Sequence, residues 1–197
     1  MFGDLLREKL RGILELSAEQ VTALEAHYDL LLRWNKKLNL TTITSMEETV
    51  ERHYCESLFL GAHLPVGNLR IVDVGSGAGF PGFPVAILRP ECSVALVESH
   101  QRKAVFLREA SRGVTNIRVI AKRAEDVAEE FDHVISRAVS YKDLDPSLKN
   151  LGSMADLLTG VEQPPSLGFE WKPAVPVPWG TARFLRIGLR EFAASIL

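Results

Sequence analysis

The chain has little cysteine, no long hydrophobic run and no excess of positive charge, and each shortage excludes something. Its 197 residues include two cysteines, Cys55 and Cys92. They fall in no C-x-x-C spacing, so neither a disulfide framework nor a metal site is expected, and both thiols should be free. No apolar stretch is long enough to span a bilayer. The first residues, MFGDLLREKLRGILEL, interleave Asp4, Arg7, Glu8, Lys9 and Arg11 with leucine, which interrupts the apolar core of a secretory signal. These absences point to the cytoplasm and to no membrane partner. The formal charge is −2, so the basic balance that often advertises nucleic-acid binding is missing.

What is present is the composition of an ordinary globular protein, 46% hydrophobic and 24% charged, at a length that suits one α/β domain with a small appendage. Residues 4–16 carry Leu5, Leu6, Leu10, Ile13 and Leu14 at helical spacing. Ser17 and Gln20 form a capping box that should start a second helix running to about residue 37, with Val21, Leu24, Tyr28, Leu31 and Leu32 as its stripe. Ser45 and Glu48 repeat the pattern before a third helix that should end ahead of Pro65. Residues 1–65 therefore read as an N-terminal helical extension, and 66–197 as the main domain.

At Leu69 the period changes. LRIVDV is short, rich in β-branched residues and followed at once by GSGAGFPG. Similar runs recur at 94–97, 117–120 and 131–136, with helical stretches around 81–89 and 102–112, and that alternation implies a doubly wound parallel sheet with helices on both faces. Residues 155–158 and 182–189 are candidates for two further strands. The proline-rich PPSLGFEWKPAVPVPWG between them suits an edge strand or a loop.

The glycine loop admits two readings. Gly77, Gly79 and Gly82 match the dinucleotide fingerprint, with Glu98 placed to bind a ribose, which would make the chain a nicotinamide-dependent oxidoreductase. From the strand end, the pattern is instead Asp73-x-Gly75-x-Gly77-x-Gly79. A carboxylate there would repel a pyrophosphate but tolerates the cationic methionine portion of S-adenosylmethionine, and Pro81 stands at a natural first helical position. Glu98, at the end of the second strand in VALVES, could accept both ribose hydroxyls or simply be solvated. Arg123-Ala124-Glu125-Asp126 lies where a doubly wound sheet would cover an adenine, unless it is only a capping turn. Arg137, at the end of the fourth strand in VISRA, would point into the same crevice toward a cofactor carboxylate or an RNA phosphate. Its bland alternative is a surface salt bridge.

Taken together, NKKLNLTTI, ERHYCESL, IVDVGSGAGFPGFPVAI, VES, RAED and FDHVISRA, across residues 34–139, resemble the ribosomal small-subunit RNA guanine-N7 methyltransferases called RsmG or GidB. The resemblance implies a Rossmann-like class I methyltransferase fold, S-adenosylmethionine as donor and N7 of a guanine in small-subunit (16S) ribosomal RNA, free or in an assembling subunit, as acceptor. It further implies that Gly75 and Phe80 contact the cofactor, that Ala124 and Glu125 line its adenine, that Arg137 lies at the cleft and that Arg123 faces substrate. Asn39, Arg52 and His53 match positions beside the cleft; for His53 the rival role is packing or capping. Lys103 or Arg102 would join Arg123 and Arg137 in gripping phosphates, and Phe80 could stack cofactor or base. The chain departs from the family at Leu158-Thr159-Gly160, where a lysine usually precedes the glycine, and in its EFAASIL ending, where a basic, proline-containing tail is usual. Fewer cations should weaken the phosphate part of RNA affinity, which leaves a cofactor-binding assembly factor without RNA catalysis as the rival from another class.

Overall fold

The computed structural model describes residues 1–191; the ending expected to differ from the family, residues 192–197, lies outside them. The first capping box forms as expected: Ser17 Oγ accepts from Gln20 N–H and Gln20 Oε1 from Ser17 N–H, opening α2, Ala18–Asn35. The first helix, α1, is shorter than its apolar spacing suggests, Phe2–Leu10, because the chain turns at Gly12, whose φ of 77° is left-handed. Ser45 caps α3, Met46–Thr49. The helix then widens into a π-helical segment, Val50–Cys55, before α4, Glu56–His63.

Beyond residue 65 the strands fall close to where alternation put them: β1 Arg70–Val74, β2 Ser93–Val97, β3 Ile117–Ile120, β4 Phe131–Arg137 and β5 Gly152–Thr159. Between them run α5, Gly82–Leu88, α6, Gln101–Ala110, and α7, Tyr141–Leu151. The proline-rich stretch supplies β6, Phe169–Trp171, and the two-residue β7, Val175–Pro176; both flank β8, Phe184–Arg190. The sheet order is β3-β2-β1-β4-β5-β8-β6. The first five strands are parallel and β8 returns antiparallel against β5. Among the described residues this is an α/β doubly wound sheet whose order reverses between β1 and β4, and ligands bind at that reversal in open sheets of this kind. Pro81 caps α5, one position before the first helical residue expected of it.

Strand alternation splits the core in two. Ile71, Val94, Leu96, Ile135 and Leu158 face the helical layer, sharing a cluster with Phe2, Leu6, Leu24, Tyr54, Leu58, Phe83 and Phe106. Val72, Val74, Ala95, Val97, Val134, Ala155 and Leu157 face Leu144, Leu148 and Leu151 of α7. The helical extension thus roofs one face of the sheet and shares its core. No helix of the described residues is long and apolar enough to cross a membrane, and Cys55 and Cys92 are free and buried.

The α2 cap gives a direct check. Ser17→Ala removes the acceptor for Gln20 N–H and should lower stability by about 1 kcal/mol, read as a lower urea midpoint with an unchanged slope.

Candidate active site

Asp73 is the penultimate residue of β1, and its side chain is fully buried. Its Oδ2 accepts from Gly82 N–H at 2.9 Å, so a residue near the end of the strand holds the first turn of α5. The fit is tight: a Cβ on Gly82 would lie 2.4 Å from Leu96 Cδ2 and 2.7 Å from Asp73 Oδ2. Asp73 Oδ1 has no partner among the described residues. Burial is the main reason that its carboxyl is pushed up to about 7, against the pull of the Gly82 N–H and the positive charge of Arg137.

The loop turns on glycines with positive φ, including Gly75 at 72°, where an added Cβ would come within 2.5 Å of Val139 Cγ2. Gly75 N–H and Ser76 N–H donate to the Val97 carbonyl. Glu98, next after β2, is buried and closes the loop from the other side. Its Oε2 accepts from Gly77 N–H at 2.9 Å and its Oε1 from His100 N–H at 2.7 Å, so this strand-end acid is built into the loop and is not a solvated side chain.

Two cavities open at the carboxyl ends of the strands. The first, about 320 Å³, is lined by Gly75, Glu98, Lys122, Arg123, Ala124 and Glu125, among others. The second, about 620 Å³, is lined by Val139, Tyr141, Leu158, Thr159, Gly160 and Arg183, among others, and shares Lys142 with the first. Residues 124–126 form one 3-10 turn. It buries Ala124 and leaves Arg123 and Glu125 exposed, 3.6 Å apart.

The sequence candidates thus separate into two groups. Gly75, Glu98, Arg123, Ala124 and Glu125 line the first cavity. Asp73, Gly77, Gly79 and Phe80 are not among its wall residues: Asp73 lies beneath the loop, and Phe80 is in the core facing the helical layer. There Phe80 stacks on His53, with centroids 4.7 Å apart and planes at 24°, and lies under the Arg137 guanidinium at 5.3 Å. Arg137 Nη1 donates to the Arg52 carbonyl in the π-helical segment. Burial depresses Arg137 to about 10, while the nearby Glu56 carboxylate acts in the opposite sense. His53 is depressed to about 3, first by burial and then by the Arg137 charge, so its imidazole is neutral near pH 7. Its Nε2 lies 2.8 Å from Thr41 Oγ1.

Three contributors escape a reading by sequence pattern. Asn35 organises the following loop, accepting from Leu40 N–H and Thr41 N–H and donating to the Thr41 carbonyl, whereas Asn39 is exposed. Arg183 donates to the fully buried Glu56 at 2.9 Å, joining β8's entry to α4 across 127 residues of chain. Lys142 borders both cavities. Neither Arg102 nor Lys103 is among the residues lining the two cavities. Among the described residues no group of three or more histidine, cysteine or acidic side chains could hold a metal ion.

Comparison with known proteins agrees with this architecture. The family model described as rRNA small subunit methyltransferase G, GidB, matches residues 20–153. The Ribosomal RNA small subunit methyltransferase G of Chromobacterium violaceum is 44% identical over 131 residues, covering 64% of this chain and 62% of that protein. Its namesake from Nitrosomonas europaea is 44% identical over 142 residues, covering 68% and 65%. The chain therefore spans less than two thirds of the length of these relatives. Among solved structures, a SAM dependent methyltransferase from Aquifex aeolicus superposes with TM-score 0.57 at 14% identity, over 73% of this chain and 93% of that one. TrmN from Thermus thermophilus gives 0.54 at 20%, over 84% and 52%. These likenesses show the fold, that of the Rossmann-like class I methyltransferases.

The raised Asp73 carboxyl fixes the sign of a pH effect. Between the unfolded value, 3.8, and about 7, the folded state holds a proton that the unfolded state has released, so this residue's contribution to stability falls as pH rises through that window and is constant above it. Asp73→Asn keeps an acceptor for Gly82 N–H without the charge. Its stability relative to the parent chain should therefore improve steadily from pH 4 to pH 7 and then level off, measured by urea denaturation at a series of pH values.

Proposed function

The chain belongs to the GidB family, rRNA small subunit methyltransferase G, and from that membership and the site geometry we propose that it transfers a methyl group from S-adenosylmethionine to N7 of a guanine in small-subunit ribosomal RNA, in the cytoplasm. One observation carries the choice of donor. A dinucleotide's pyrophosphate needs the free N–H groups of the helix that follows the glycine loop, and here the first N–H of α5 is taken by the chain's own Asp73. That contact tells against the nicotinamide reading more firmly than charge does, since a carboxyl titrating at about 7 is only partly ionised in neutral solution.

The residues present suit the donor. Gly75 lets a ligand approach bare backbone, Glu98 offers lone pairs beyond the two amides it already binds, and Ala124 gives a small apolar surface for an adenine in the same cavity wall. When bound, S-adenosylmethionine supplies a methyl group on a cationic sulfur. The guanine N7 lone pair lies in the ring plane and carries no proton, so the protein has no base to provide, in keeping with a His53 whose imidazole, depressed to about 3, is a weak base. What the chain supplies is placement of donor and acceptor, a contribution of up to ~7–11 kcal/mol in well-oriented systems. Arg137 is set for that work by Phe80 below it and the Arg52 carbonyl at its end, and Arg123 on the rim of the first cavity is exposed to RNA. The helical layer over residues 1–65, which carries Arg52 and His53, belongs to the site on this reading.

Calorimetry with S-adenosylhomocysteine and with NAD separates the two donors, the first expected to bind and the second not; the reverse would refute the proposal. Glu98→Gln should weaken S-adenosylhomocysteine by about tenfold through loss of charge-assisted bonds. Arg137→Ala should reduce methyl transfer to purified small subunits by about tenfold or more, equivalent to at least ~1.4 kcal/mol of transition-state contact, with a smaller loss in product affinity. A protein that binds the product and methylates neither subunits nor naked RNA would be the assembly factor.

A further inference from the structure

We infer that His27, on α2 and remote from every sequence motif of the site, is a positioning residue for the cofactor loop: it holds the Ala78 carbonyl and so fixes the amides around it. The inference rests on reading the glycine loop as the donor site. His27 is buried in the helical layer, stacked on Phe83 with centroids 4.3 Å apart and planes at 25°, and edge-on to Phe80 and Phe106. Its Nε2 is 3.0 Å from Ala78 O and its Nδ1 is 2.7 Å from Tyr54 Oη. A carbonyl only accepts, so Nε2 carries the proton, Nδ1 is the acceptor and the Tyr54 hydroxyl is the donor. Burial depresses the ring to about 3, which keeps it in this one neutral form at neutral pH.

The loop has no slack to replace this contact. A Cβ on Gly79 would already be 3.2 Å from His27 Nε2 and 3.2 Å from Phe83 Cβ, so ring and loop are in close packing as well as bonded. On either side of Ala78 the chain is committed: Gly77 N–H points to Glu98, Gly79 N–H to the Ser76 carbonyl, and Phe80 N–H to the same carbonyl. Freeing the Ala78 carbonyl would leave a buried acceptor unpaired and let the 78–79 peptide rotate, taking with it the Gly79 N–H that closes the turn onto the Ser76 carbonyl, and with that turn the placement of the neighbouring Gly77 N–H on Glu98. The helical layer would thereby set donor affinity without touching the donor.

Two isosteric halves of the ring provide the test. His27→Gln keeps a donor near Nε2 and loses the Tyr54 bond, whereas His27→Asn keeps a partner for Tyr54 and loses the Ala78 bond. Both should lower the melting temperature by similar amounts. S-adenosylhomocysteine affinity should stay within about threefold for the glutamine variant and fall about tenfold or more for the asparagine variant, with amide exchange at 75–79 in the ligand-free protein faster in the asparagine variant alone. Affinity and exchange that merely follow the loss of stability in both variants would overturn the inference. If the parent chain binds no S-adenosylhomocysteine, the donor assignment fails, and the exchange difference still decides whether His27 holds the loop.

Discussion

The hydrogen bond from Gly82 N–H to the buried Asp73 carboxylate ties the end of β1 to the start of α5, and the loop between them has its shape because those two points cannot separate. With the ends fixed, the intervening residues must turn back on themselves, which requires positive φ at Gly75, Gly77 and Gly79. That turn aims Gly77 N–H at Glu98, and Glu98 in turn caps the exit of the neighbouring strand through His100 N–H. The glycine loop and the second-strand acid, which contribute Gly75 and Glu98 to the first cavity's wall, are thus one bonded unit. The carboxylate itself is poorly hydrated, as its raised pKa records, and Arg137 partly compensates: the positive charge that lowers Asp73 comes from the residue whose own charge Asp73 supports. Charge therefore links the residues beneath the loop to the arginine that faces the helical layer.

That layer is more than a cover. Glu56 N–H reaches back five residues to Glu51 O, and the Arg52 carbonyl, one residue on, accepts from the Arg137 guanidinium. Widened turns of this kind recur inside α-helices at functional sites. Here the widening lets one segment present Arg52 O to Arg137 and the His53 ring to Phe80 together. Glu56 then anchors Arg183 at the entry to β8, so the helical layer holds in place one residue of the second cavity's wall.

Legibility in the sequence followed locality. The glycine loop, Asp73, the parallel strands and the Ser17 box are contiguous patterns with a mechanical cause, and the structure places each near its expected position. α7 shows the limit. Leu144, Leu148 and Leu151 are buried at helical spacing behind a Ser140 cap, yet Pro146 inside the helix conceals the pattern. Arg183 with Glu56, and His27 with Ala78, are invisible for a different reason: each depends on a pairing across the sheet's helical face, where only the fold decides which residues meet. Phe80 belongs to the same class. The motif marks it as close to the ligand, and the core claims its ring.

The modest net charge acquires a local meaning once the cavities are mapped. Lys122, Arg123, Lys142 and Arg183 line their walls, opposed by Glu98, Glu125, Asp143 and Glu162, so neither cavity is a strongly basic trough. Glu98, however, already binds two amides and Arg183 is held by Glu56, which leaves Lys122, Arg123 and Lys142 as exposed cations of the walls. The second cavity contains Thr159 and Gly160, where the family resemblance sets a lysine, and it still carries cations in Arg183 and Lys142. Positive charge at that wall thus comes from β8's entry and the start of α7. On the proposed function, because one of these cations is anchored to a buried carboxylate, it would contribute orientation to an RNA contact more than counterion release, with a smaller salt dependence than a basic patch would impose.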